Sequence, residues 1–364
     1  MDIQETFDAI NSLVPVTRYN LNPSDYRAVL NTTLKSYMIV VELMSQDGLL
    51  DVDEVKEIGK TCEKLKDIIT SEYQGLHSTA FYRLSNLLRG KNGLPALSDS
   101  IMMYTFKTDE KPLYRMREIE KRQDLSYKEL FHIPINKRGI VKTNRYSSPG
   151  YPCLYLGTSI YACWEELGRP PMNKSMVARL ANGVDLHLID LRIPTFDEFE
   201  EHYKAYMKAL PLIIACSVKV KEPDANYKPE YAIPQLMMEY VINNNVYRKT
   251  NIPIAGIYYT SVFRNDDYGF SIDKFENMAI PVQRPLSSKK YCNKLCEIFM
   301  MTRATCDEME QNRSGGYIRW DYDEKNSAMR YHGNIGEYKY SSFGYLEKRL
   351  NDKKLFPLIP IDDK

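Results

Sequence analysis

The chain has 364 residues, 43% of them hydrophobic, which is enough for a sizeable core and, at ordinary domain sizes, for two or three domains. Its 49 basic and 48 acidic residues leave a formal net charge of +1, so no global field draws it to nucleic acid or to an anionic membrane. No apolar run is long enough to span a bilayer, and the start, MDIQETFDAI, lacks the basic and apolar regions of a signal peptide.

A cytoplasmic protein is therefore expected. Seven cysteines, Cys62, Cys153, Cys163, Cys216, Cys292, Cys296 and Cys306, are odd in number and scattered through apolar surroundings, as reduced thiols are. Cys292 and Cys296 lie one helical turn apart, but no CxxC pair accompanies them and His332 is distant in sequence, so helix packing is expected there and no metal. The other histidines, His77, His132, His187 and His202, are equally scattered.

In chain order, the first hundred residues read as helical. Ser24 and Asp25 can cap a helix with apolar positions Val29, Leu30, Leu34, Met38, Val41 and Leu43. A second starts near Asp51, with Glu54 in capping-box position, and runs through Val55, Ile58 and Leu65. The SQDGLLD turn between them lacks the ligand pattern of a calcium loop. A third helix, near Tyr73 to Leu88, ends at RGKNGLPALSDS, where glycine, asparagine and proline mark a domain boundary.

Beyond it the pattern turns to short strands. CLYLG reads as a strand followed by a helix, SIYACWEEL, with Ser159 as its cap. LHLIDLRI, IIACSVKV, IAGIYYTSV and MAIPV read as further strands of a mixed sheet, and YAIPQLMMEYV around Gln235 as a helix. The stretch SSKKYCNKLCEIFMMTRATCDEMEQ has helical periodicity up to an NRSGG turn; SSFGYLEKRL reads as a helix and LFPLIPIDDK as an extended end. No GxGxxG or GxxxxGK[ST] sequence occurs, which disfavours Rossmann and P-loop domains, so the class expected is α+β.

Arg145 to Glu166 concentrates the chemistry: an arginine fork, aromatic faces and two adjacent carboxylates at a strand-to-helix junction, a mixture suited to a planar, phosphorylated ligand. Taken alone, the arginines would serve as surface ion pairs, Tyr155 as core, the glutamates as a solvated helix face and Ser261 as a strand-end hydroxyl.

Several pieces in order resemble the RES-domain family, named for its arginine, glutamate and serine. They are Leu113-Tyr114-Arg115, Arg145-Tyr146 before Pro149-Gly150, Tyr155-Leu156 followed by Ser159, Trp164 and Glu166, and GIYYTS ending at Ser261 with Asn277 beyond it. The resemblance covers roughly residues 101 to 286. It implies an N-terminal helical domain over 1–100, a RES-like NAD-binding domain over 101–286 similar to ADP-ribosyltransferases, and a C-terminal helical extension over 287–364 packed on the core.

The same resemblance implies an enzyme that consumes NAD by hydrolysis, phosphorolysis or mono-ADP-ribosyl transfer, as the toxin of a toxin-antitoxin or defence system. Its partners would be NAD, an antitoxin or an acceptor protein, and a second copy of itself. Glu166 would be the catalytic carboxylate with Arg115 and Ser261 beside it, and Arg115, Arg145, Tyr146, Tyr155 and Ser261 would hold NAD. Two features depart from the family pattern, which has a glycine pair before the second arginine and tryptophan after it. This chain has Thr143-Asn144 and Tyr146 there, which motivates the alternative of an inactive RES fold that binds NAD or a partner as sensor or scaffold.

Overall fold

Acidic caps set the starts of the N-terminal helices in the computed structural model, which describes residues 1–16, 25–88, 103–119, 127–247, 253–263, 272–283, 290–314, 330–331, 334–335 and 338–358. Helix α1 (Ile3–Leu13) follows Asp2, and α2 (Tyr26–Gln46) follows Asp25, whose carboxylate accepts from the Arg27 N–H. Helix α3 (Val52–Tyr73) carries the expected capping box, with Asp51 accepting from Glu54 N–H and Glu54 reaching back to Asp51 N–H. Helix α4 (His77–Leu88) follows a short break. Ser24, the boundary at 89–100, His332 and the chain end beyond 358 lie outside the described residues.

The elements that follow are β1 (Met103–Phe106), β2 (Leu113–Glu118), β3 (Cys153–Gly157), α5 (Ile160–Glu166), β4 (Ser175–Asn182), β5 (Leu186–Leu191), α6 (Phe196–Cys216) and α7 (Ala232–Tyr247). After them come β6 (Gly256–Thr260), β7 (Glu276–Pro281), α8 (Asn293–Ile298), β8 (Phe299–Met301), α9 (Asp307–Ser314), the small pair β9 (Arg330–Tyr331) and β10 (Asn334–Ile335), α10 (Ser342–Asn351) and β11 (Phe356–Pro357). Helices with strands paired in both directions make this an α+β fold, the class the sequence pattern predicts.

Two units share the chain, each assembled from stretches that are not contiguous. The first comprises residues 1–105, 142–149 and 187–262, and the second 106–141, 150–186 and 263–364.

In the first unit β5 and β6 pair in parallel from Leu188↔Gly256 to Leu191↔Tyr259, and β1 flanks β5. A parallel pair needs a long crossover, here supplied by α6 and α7. Helix α6 shows why IIACSVKV is not a strand: Ile213 to Cys216 complete this helix instead, and every residue from Ala209 to Val218 is buried. An all-round apolar run has no period by which to separate a buried helix from a buried strand.

Pro211 sits inside α6 and has no N–H to donate to the Met207 carbonyl four residues back. The hydroxyl of Tyr37, fully buried on α2, donates to that carbonyl instead. Removing it leaves a buried acceptor unpaired, so Tyr37→Phe is expected to cost about 1–3 kcal/mol. Urea unfolding followed by circular dichroism measures this; an unchanged midpoint would show that water replaces the hydroxyl.

The second unit is built on strands in the order β7-β3-β2-β4-β8-β11, antiparallel in each of the pairings β3–β7, β2–β3, β2–β4, β4–β8 and β8–β11. The single long helix expected over 287–311 is instead α8, β8 and α9. Leu180, Ala181 and Asn182 of β4 pair with Met301, Met300 and Phe299, so the hydrogen-bonding edge of β4 outcompetes a helix whose apolar residues bury equally well in a strand. The core of this unit gathers Tyr114, Met116, Ile160, Tyr161 and Val177 with Phe343, Leu346 and Leu350 of α10.

Candidate functional site

Strand β3 turns into α5 at Thr158-Ser159, and each residue of the junction is tied down. The Ser159 hydroxyl accepts from the Ala162 N–H at 2.9 Å, which caps the helix, and donates to the Lys274 carbonyl at 2.5 Å. Thr158 N–H donates to the Glu276 carbonyl at 2.9 Å. Gly157 must be glycine for reasons of space: a Cβ there would lie 2.8 Å from Cys163 Sγ, 3.0 Å from the Ser159 carbonyl and 3.2 Å from Asn277 Oδ1.

Helix α5 separates the two adjacent glutamates as its 100° step per residue requires. Glu165 is 4% exposed and takes both Nε and Nη2 of Arg169, at 2.9 and 3.0 Å. Glu166, the last residue of the helix, is exposed, and its Oε1 accepts from Asn277 Nδ2 at 2.9 Å. Trp164 pins the loop that follows, donating from Nε1 to the Pro170 carbonyl at 2.8 Å.

Arg115 lies where two strands part. β2 and β3 pair at Tyr114↔Gly157, and the Arg115 Nη1 donates at 2.8 Å to the carbonyl of Tyr155, two residues before that pairing. The side chain is half-buried, and its Nε is sealed from solvent with no hydrogen-bond partner among the described residues. Burial pushes the guanidinium down to about 10, so it stays cationic at neutral pH.

Burial pushes the neighbouring Cys163 thiol up to about 12, with Arg115 opposing the rise and Glu166 adding to it. Both charged groups therefore lie within electrostatic range of one sulfur. Half-buried Tyr155 stands opposite Ala279 in β7, and by strand alternation it shares a face with Gly157 and its partner Asn277.

Behind α5, the Glu347 carboxylate of α10 accepts from the Ile160 N–H at 2.7 Å and from the Tyr338 hydroxyl. Burial pushes this carboxyl up to about 7. A carboxyl raised in the folded state stabilises fully below its unfolded value, near 4.5, and the contribution fades as pH rises through 7. Elsewhere in this unit, burial pushes neutral His132 down to about 4, which has the opposite sense, costing stability as pH falls from about 6.5 to 4.

The difference between wild type and Glu347→Gln isolates the glutamate, because the histidine contributes to both. That variant is expected to gain up to about 3 kcal/mol relative to wild type between pH 5 and pH 8. Denaturant unfolding at the two pH values measures it; a constant difference would refute the raised carboxyl.

Arg145 and Tyr146 belong to the first unit, as the two turn residues between the mutually bonded Asn144 and Ser147. Arg145 is 8% exposed; its Nη1 donates to the carbonyls of Cys216 at 2.8 Å and Val218 at 3.0 Å, and its guanidinium lies 5.2 Å from the centre of the Tyr231 ring. Tyr146 is 1% exposed, packs on Tyr259 at 4.6 Å and hydrogen-bonds the Cys216 thiol. Ser261, just after β6, is fully buried.

Gln235 carries a role that its helical pattern hides. Its Nε2 donates to Thr143 Oγ1 at 2.9 Å, the Asn144 carbonyl at 3.0 Å and the Ser147 carbonyl at 3.3 Å, holding the turn in part through Thr143 and Asn144, two of the three residues that depart from the RES pattern. The residue pattern alone likewise assigns Asn277 no role. The available signal was an amide within an apolar run, since a buried amide needs partners.

Arg115, Tyr155, Glu166 and Asn277 thus fall in one unit, and Arg145, Tyr146, Gln235 and Ser261 in the other. All seven cysteines are free and buried, and among the described residues no three His, Cys, Asp or Glu side chains form a metal-binding group. No helix of the described residues is long and apolar enough to cross a membrane.

What fold and site define is an α+β protein whose second unit carries an exposed carboxylate, Glu166, held by Asn277, and an arginine, Arg115, whose Nε has no hydrogen-bond partner among the described residues. Over 221 residues, 56% of the chain, it is 33% identical to a protein of Bacillus subtilis (strain 168) named Putative toxin YopC, and the match covers 48% of that protein. The chain spans about half the length of this curated relative. No family model matches the sequence, and no solved structure matches it.

Proposed function

We propose that this chain is an NAD-consuming toxin of RES type, with an ADP-ribosyltransferase-like fold, that cleaves the bond between nicotinamide and ribose. The observation that carries the reading is the division of labour on α5: Glu165 is consumed by Arg169, while Glu166 stays exposed and is held by Asn277. The similarity to a protein named as a toxin supports the biological side of the reading.

In the cleavage, positive charge grows on the ribose as the C–N bond breaks, nicotinamide leaves with the bonding electron pair, and water, phosphate or an acceptor side chain bonds to the sugar carbon. The attacking group's proton, where it has one, passes to solvent. A fixed carboxylate beside that carbon stabilises the charged transition state more than the ground state. Glu166 has the chemistry for this role. Arg115, cationic at neutral pH, has the guanidinium chemistry for a pyrophosphate, and Tyr155 offers a flat face to the nicotinamide ring.

The test is incubation of purified protein with NAD, with and without phosphate and candidate acceptors. Nicotinamide release is expected, with ADP-ribose, ADP-ribose 1-phosphate or labelled protein identifying the reaction. Intact NAD under all conditions would sink the proposal.

A second reading, an inactive fold that binds NAD or a partner, draws support from the first unit. There Arg145 is engaged by main-chain carbonyls, and Tyr146 and Ser261 are buried. Calorimetric binding of NAD without turnover is its expected signature.

A further inference from the structure

We infer that Asn277 is a positioning residue that aims the Glu166 carboxylate. Its catalytic consequence rests on the function proposed above; the pairing itself does not. Glu166 closes a seven-residue helix, and the C-terminal end of a helix disfavours negative charge while leaving a terminal side chain several free torsions. Asn277 restrains the side chain and favours its ionised form, since its Nδ2 donates to Glu166 Oε1 at 2.9 Å and an ionised carboxylate can only accept.

Asn277 is itself fixed. It is 4% exposed and stands in β7, whose register with β3 runs over five pairs from Cys153↔Pro281 to Gly157↔Asn277. The missing side chain at Gly157 lets the amide and Cys163 both close on the strand, so the strand that leads into α5 also seats the group that orients the end of α5. A carboxylate on a helix end is thereby referenced to a rigid strand, the arrangement that a group acting on a developing charge requires.

The pairing is tested by nitrogen NMR of the side-chain amides in wild type and Glu166→Gln. The Asn277 amide signals are expected to move as the wild type is titrated through the carboxylate range and to stay fixed in Glu166→Gln. A wild-type amide that does not respond overturns the inference. This arm needs no change at the buried position and no turnover.

The positioning role is tested on NAD with Asn277→Asp, checked for folding by circular dichroism. Expected are a loss of about 10- to 100-fold in kcat with KM within about threefold, and an altered pH profile. Wild-type kcat should fall on acidification as Glu166 takes a proton. In the variant it should rise first, as the introduced carboxyl protonates and donates to Glu166. Wild-type kcat and profile in the variant would overturn the positioning role, whereas a responding amide in a protein that leaves NAD intact supports the pairing and removes only the NAD reading.

Discussion

Glu166→Ala is expected to reduce nicotinamide release from NAD by about 100- to 1,000-fold, with KM changed little. The side chain is exposed at the end of α5, so truncation opens no cavity, but it takes the acceptor from the buried Asn277 amide, so turnover is compared at matched folded fraction. Glu165 cannot take over. It faces away by one helical step, and both of its oxygens are bound to Arg169. Glu166→Gln refines the test, because the amide keeps an oxygen for Asn277 and loses only the charge; a comparable loss of kcat assigns the effect to the carboxylate's charge. Wild-type turnover in both variants would show that the sugar's charge is stabilised elsewhere. If the chain acts as a toxin, expression of wild type should arrest growth and Glu166→Ala should relieve the arrest at equal protein level.

What was legible in the sequence was local. The caps at Asp25, Asp51 and Ser159 each bond within three residues, so their signals sit inside a single turn of chain. What was hidden depends on distant partners. Phe299 to Met301 become a strand because β4, more than a hundred residues earlier, presents an edge. The end of α6 is apolar on every side and carries no period to read. The Asn277 to Glu166 bond spans 111 residues, and the Arg145 bonds to Cys216 and Val218 span 71 and 73. A motif identifies which residue types stand in order, but not which of them the fold then consumes.

Arg145 makes that distinction measurable. Helix α6 ends inside the first unit, where Ala215, Cys216 and Val218 are all buried and their carbonyls need protein donors. The Tyr26 hydroxyl takes the Ala215 carbonyl at 3.1 Å, and Arg145 takes those of Cys216 and Val218. Truncation to alanine would strand two buried acceptors and leave the Tyr231 face uncovered, so Arg145→Ala is expected to cost about 2–4 kcal/mol. Arg145→Lys should recover only part of this, because an ammonium lacks the planar fork that reaches both carbonyls while lying over the ring. Urea unfolding compares the three proteins directly. A residue that instead grips pyrophosphate would leave the midpoint unchanged and raise the KM for NAD, with lysine retaining much of the affinity as a point charge. The two roles thus predict opposite pairs of readings from the same two variants, and the bonds to Cys216 and Val218 favour the loss of stability.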